Sequence, residues 1–155
     1  MTGIILALLL VPLFSALLVF SIPNTRKELF RPIGIVFSLI KFTQSMYILF
    51  SDYSKSDFQI LFRFEWIQVY GLEINLGISG MSTLLLLLSS LLVLLSLLSI
   101  GKDHSESKGF IGSILTLHFA INGVFISGDL ISLFIFFEAL LIPMYFLMGI
   151  WGGDN

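Results

Sequence analysis

The stretch Asp129-Leu-Ile-Ser-Leu-Phe-Ile-Phe-Phe-Glu-Ala-Leu-Leu-Ile-Pro-Met-Tyr-Phe-Leu-Met-Gly-Ile-Trp151 decides how this chain is to be read. At about 1.5 Å per residue a helix of this length crosses a bilayer. One carboxylate, Glu138, sits near its middle with apolar residues on both sides. A charge at that depth costs roughly 2.5–3.5 kcal/mol on insertion scales, so it is kept where it has a partner or handles a proton. Five residues on, Pro143 lacks the N–H that would bond the Ala139 carbonyl, which predicts a kink beside the acid. Glu138 is therefore the first candidate for a proton relay, and a purely structural ion pair between helices is the competing reading.

The rest of the composition agrees with a bilayer. Hydrophobic residues make up 57% of the 155 and charged residues 12%, against about 25% charged in soluble domains; mean hydropathy is +1.03. The net charge of −2 offers no basic patch for nucleic acid. No cysteine is present, so no iron–sulfur cluster is held by this chain. Two histidines, His104 and His118, are too few and too far apart for a metal or haem site. No phosphate loop or dinucleotide fingerprint occurs. The sequence thus predicts no cofactor-binding and no metal residues.

Taken in order, the chain reads as one membrane domain, 1–155, all-α, with five transmembrane helices at about 3–22, 29–50, 81–100, 109–127 and 129–151. The first run lacks the basic n-region and the cleavage site of a signal peptide. Pro12 lies within it and reads as a tolerated kink. The second carries Lys41 near its centre, either an internal cation poised near a carboxylate or, the favoured reading, a side chain that snorkels or pairs locally. The loop 51–79 contains two partly alternating stretches, Phe58–Trp66 and Gln68–Asn75. They predict a short surface hairpin between helices 2 and 3, with Trp66 and Tyr70 at interfacial depth.

The third helix is leucine with serines and carries no chemistry of its own. The fourth places His118 and Asn122 on one face. His118, whose imidazole titrates near neutral pH when unperturbed, is a second relay candidate, against an interhelical hydrogen bond. Asp129 suits the cap of the fifth helix or the mouth of a pathway. It lies nine residues from Glu138, about 13.5 Å away on the opposite side, so the two are no acid–base pair.

Positive charge gathers in the first loop (Arg26, Lys27, Arg31) and the third (Lys102, Lys108). The second mixes Lys55 and Arg63 with Asp52, Asp57, Glu65 and Glu73. The positive-inside rule puts loops one and three on the matrix or cytoplasmic side, and the N-terminus and hairpin on the other.

Laid out this way, the chain resembles the N-terminal part of the subunit-4 family of NADH:ubiquinone oxidoreductase (complex I), antiporter-like subunits of its membrane arm. The resemblance covers nearly all residues. It is densest in Gly123–Met144, with its run Phe-Phe-Glu and Leu-Ile-Pro-Met, and in Gly149-Ile-Trp-Gly152. Phe20–Arg26 and Asn75–Ser82 support it.

The resemblance implies a part in redox-driven proton translocation, with Glu138 as the fifth-helix glutamate, coupled to a lysine on a later helix. It implies FMN, iron–sulfur clusters and ubiquinone on other subunits. Partners would be those subunits, membrane lipids, and a companion chain that completes the antiporter-like fold, since the sequence stops at Asn155 where the family continues. The location implied is the mitochondrial inner membrane, N-terminus toward the intermembrane space, rather than a bacterial plasma membrane. Two substitutions depart from the family: Ser79 stands for an aspartate, and His118 for a glutamate or glutamine. The alternatives are a subunit of a multi-subunit cation/proton antiporter and a structural remnant of the arm.

Overall fold

A computed structural model describes residues 2–50, 58–67, 69, 72–101 and 107–152. The charges at Asp52, Lys55, Asp57 and Lys102, the turn residues Gln68, Tyr70 and Gly71, and also His104 and Asn155, lie outside the described residues.

Among the described residues, five helices and one hairpin form in the predicted order. They are α1 (Thr2–Ser21), α2 (Phe30–Leu49), β1 (Gln59–Ile67), β2 (Leu72–Ile78), α3 (Gly80–Ser99), α4 (Lys108–Ile126) and α5 (Leu130–Trp151). A 3₁₀ turn, Asn24–Leu29, leads into α2. Four helical segments are long and apolar enough to cross a membrane, and α1 adds the apolar run Leu6–Ser21.

Heptad-like spacing decides the packing. The buried positions of α2 are Phe30, Gly34, Ser38, Lys41, Ser45 and Ile48, spaced by three or four so that they share one face. The stripe of α3 follows the same rule from Ser82 through Leu86, Ser89/Ser90 and Val93/Leu94 to Leu97. Helices α1 to α4 close into a ring: α1 lies beside α2 and α4, α3 beside α2 and α4, and α2 and α4 also touch across it. Lipid offers no hydrophobic drive for this association, so close approach and polar contacts carry it. At Gly34 an added Cβ would already lie 3.3 Å from Leu97.

The fifth helix stands outside the ring. It docks on α4, touching besides it only the β2 strand to any extent. The Phe119–Phe136 ring pair, 5.9 Å between centroids, marks the seam. Gly123 lies directly under Phe136, where any Cβ would collide with the ring. The helix runs through Pro143 as one element, and Pro143 itself is buried.

The hairpin is antiparallel, pairing Arg63 with Asn75 and Glu65 with Glu73, and is irregular between Ile60 and Phe62 and between Glu65 and Ile67. Trp66 is half exposed. The hairpin is stapled to the α4–α5 turn: Leu76 bridges Ser127, and the Gly128 amide donates to the Asn75 carbonyl at 2.7 Å.

Candidate functional site

Two apolar clusters fill the ring. One, near the hairpin, includes Leu8, Ile48, Ile78, Leu86 and Ile126. The other, near the opposite end, includes Val19, Phe30, Leu97, Ile111 and Leu115. Between them every helix of the ring contributes buried polar groups: Ser15 from α1, Ser38, Lys41 and Ser45 from α2, Ser89 and Ser90 from α3, and His118 and Asn122 from α4. The ring therefore has a polar layer at mid-height.

Lys41 is the centre of that layer. It is 1% exposed, and its Nζ donates to the Leu8 carbonyl at 2.7 Å. Of the two parts of the favoured expectation, snorkelling is not seen: from the buried face of α2 the stem runs inward and pairs with another helix's backbone. His118 is also 1% exposed, on a helix that touches α2 across the ring. Asn122 makes an interhelical contact: its Oδ1 lies 3.5 Å from Ser89 Oγ. The third helix, read as inert, thereby joins the layer.

Glu138 is not in it. Within this chain Glu138 is exposed, on the outer face of α5. Phe136 fixes the rotation of that helix against α4, and two residues further on the side chain points about 200° around. A shallow groove holds it, with Ala139, Leu141, Ile142, Tyr145 and Phe146. Depth nonetheless unites the three ionisable groups. Lys41 and His118 stand eight residues before the ends of α2 and α4, and Glu138 eight after the start of α5. All three lie about 12 Å in from the hairpin end.

Asp129 is a cap. Its Oδ1 accepts from the Ser132 amide at 2.7 Å, and Oδ2 accepts from Ser132 Oγ at 2.7 Å and from the Asn75 amide at 2.6 Å. Partial burial pushes its pKa upward, but the hydrogen bonds from Ser132, Asn75 and Ile131 outweigh this and hold it below the ordinary carboxylate value. Ser79 also caps. It accepts from the Ser82 amide at 3.1 Å while Ser82 Oγ accepts from the Ser79 amide at 2.6 Å, a reciprocal box open to serine as well as aspartate. Among the described residues no cluster of three His, Asp or Glu side chains is placed to hold a metal.

Apolar helices with a mid-height polar layer and an uncovered carboxylate on an outer helix define a membrane-embedded helical unit. No family model matches the chain. Curated relatives do. It is 32% identical to NADH-quinone oxidoreductase subunit M of Rickettsia conorii over 93% of this chain and 31% of that protein. Chain 4 of the NADH-ubiquinone oxidoreductase of Arabidopsis thaliana is 33% identical over 94% of this chain and 30% of that protein. The F(420)H(2) dehydrogenase subunit M of Methanosarcina mazei is 33% identical over 96% and 30%. A chain in the structure of respiratory complex I from Thermus thermophilus superposes with a TM-score of 0.77 at 26% identity, over 97% of this chain and 30% of that one. The chain is a homologue of the subunit M/chain 4 proteins of complex I, and it spans about a third of their length.

Proposed function

We propose that this chain is part of a proton-translocating membrane-arm subunit of a complex I-type NADH dehydrogenase, with Glu138 as its proton carrier. The observation that carries this reading is the placement of Glu138, mid-way along a bilayer-crossing helix on the face turned away from the rest of the chain. A carboxylate facing lipid there is costly. In the working assembly, helices beyond the described residues cover that face and bring a basic partner. Those helices come from a companion chain or from further polypeptide, and mass spectrometry of the purified complex distinguishes the two. Movement of that basic partner toward or away from Glu138 changes how firmly the carboxyl holds its proton, which is the translocating step.

The electron-transfer groups, FMN, iron–sulfur clusters and ubiquinone, belong to other subunits. A chain without cysteine has no ligands of the usual kind for such clusters. The membrane is the mitochondrial inner membrane, with the hairpin and the N-terminus toward the intermembrane space, as the charges of Arg26, Lys27, Arg31 and Lys108 at the opposite end favour.

The test is Glu138→Gln in the assembled complex, reading NADH oxidation and vesicle acidification side by side. The expected result is electron transfer with proton translocation lost. Unchanged translocation would leave the chain as scaffold, and the proposal would fail.

A further inference from the structure

The polar layer of the ring serves no step assigned to Glu138. We infer that Lys41 and His118 form a second, enclosed proton-holding site, in which ordered water links Lys41 Nζ to His118 Nε2 and one excess proton is shared between them.

Three observations converge on this. First, an ammonium has three donors, and among the described residues a single acceptor, the Leu8 carbonyl, is placed to receive one. Second, the layer holds buried polar atoms with no protein partner: His118 Nε2, Asn122 Nδ2, and the Ser38 and Ser45 hydroxyls. Buried polar groups are nearly always bonded, and enclosed water commonly supplies the bond where two to four of them converge. Third, among the described residues the layer contains no carboxylate. From α1 it has the Leu8 carbonyl and Ser15, whose hydroxyl donates to the Pro12 carbonyl. From α3 it has Ser89 and Ser90, whose hydroxyls return to the Leu86 and Leu87 carbonyls. From α4 come His118 and Asn122, and from α5 nothing titratable, since Glu138 lies on its far face. The described groups thus offer two nitrogen bases for one proton.

The transfer balances simply. Lys41 Nζ gives a proton to the bridging water, and that water gives one of its own to His118 Nε2. The ammonium becomes an amine and the imidazole an imidazolium. The water is regenerated, the net charge stays +1, and nothing is oxidised or reduced.

The first test is a density map of the unsubstituted, assembled complex at a resolution that shows ordered water. The expected feature is density within hydrogen-bonding distance of both Lys41 Nζ and His118 Nε2. Dry contact, or a side chain filling the gap, would overturn the site. The second test compares Lys41→Gln, His118→Gln and the double variant in the assembled complex, with Lys41→Arg as a control that keeps the bond to Leu8. Because one proton is shared, each single variant should slow NADH-driven translocation several-fold and the double variant no further. Additive losses, or none, would refute the inference. Loss in Glu138→Gln beside normal translocation in Lys41→Gln would reject this site alone; the reverse pattern would reject the role of Glu138 alone. If the variants do not assemble, the map of the unsubstituted complex decides.

Discussion

Replacing Asp129 should loosen the hairpin and the start of α5 together, by an amount the geometry allows to be worked out. One carboxylate receives the Ser132 amide, the Ser132 hydroxyl and the Asn75 amide, all within 2.7 Å. Loss of an N-cap to alanine costs about 1 kcal/mol. The bond from Asn75 joins two elements 54 residues apart. It is charge-assisted but partly exposed, so the low end of the usual range, about 1 kcal/mol, applies. The sum of about 2 kcal/mol corresponds to a roughly 30-fold rise in local opening. Hydrogen exchange in the assembled complex reads this at the amides concerned. In Asp129→Ala, the Asn75 and Ser132 amides should exchange about 30-fold faster, while the α2 amides around Lys41 stay protected. Asp129→Asn, which keeps oxygen acceptance at one position, should lie between. Unchanged exchange at Asn75 would show that the carboxylate does not tie the hairpin to α5.

The same group gives a pH dependence. Since the folded state holds the Asp129 pKa below its unfolded value, its contribution is complete above the unfolded carboxylate value of about 3.9. It fades as pH falls through the folded pKa, so Asn75 exchange should accelerate only in acid, and Asp129→Asn should abolish that acceleration. Arg31 Nε donates to the Leu97 carbonyl at 3.0 Å and its Nη2 to the Leu98 carbonyl at 2.6 Å, completing the C-terminal end of α3. Arg31→Ala should therefore fray that end, at a cost of about 1–2 kcal/mol, visible as faster exchange near Ser99 with α5 unaffected. Gly123→Leu should displace Phe136 and undock α5, an overpacking penalty of about 1–3 kcal/mol, measured as reduced recovery of assembled complex. Gly3→Leu, at a position with open space around it, should leave recovery unchanged.

Much of this architecture was legible because a membrane span is a one-dimensional signal. Runs of about twenty apolar residues, punctuated by Pro23-Asn24 and Ser127-Gly128-Asp129, placed the helix ends within a residue or two. The alternation in Phe58–Trp66 gave the hairpin. The caps at Asp129 and Ser79 belong to the same local kind of information, although Ser79 became intelligible only with the Ser82 box in view. The two ionisable side chains at helix centres face opposite ways: Glu138 is turned out of this chain and Lys41 into it. Sequence gives depth along a helix, but burial depends on rotation about its axis, which neighbours set. The moment of α5 is no guide, since the helix is apolar all round and Phe136 meeting Gly123 fixes its angle. For Lys41 a usable signal did exist. The series Phe30, Gly34, Ser38, Lys41, Ser45, Ile48 repeats by three and four, which places the lysine on the packing face.

The sequence by itself determined that this is a membrane protein of five helices and a hairpin, and which residues sit at mid-depth. It did so because hydropathy, proline and capping residues act within a few positions of themselves. Only the tertiary structure decided which of those residues meet. It turned Lys41 toward Leu8 across the ring, and turned Glu138 away from the rest of the chain. In lipid, helices of near-uniform hydropathy are oriented by close fits such as Gly34 beside Leu97 and by polar contacts across the ring, and these exist only once the helices are side by side.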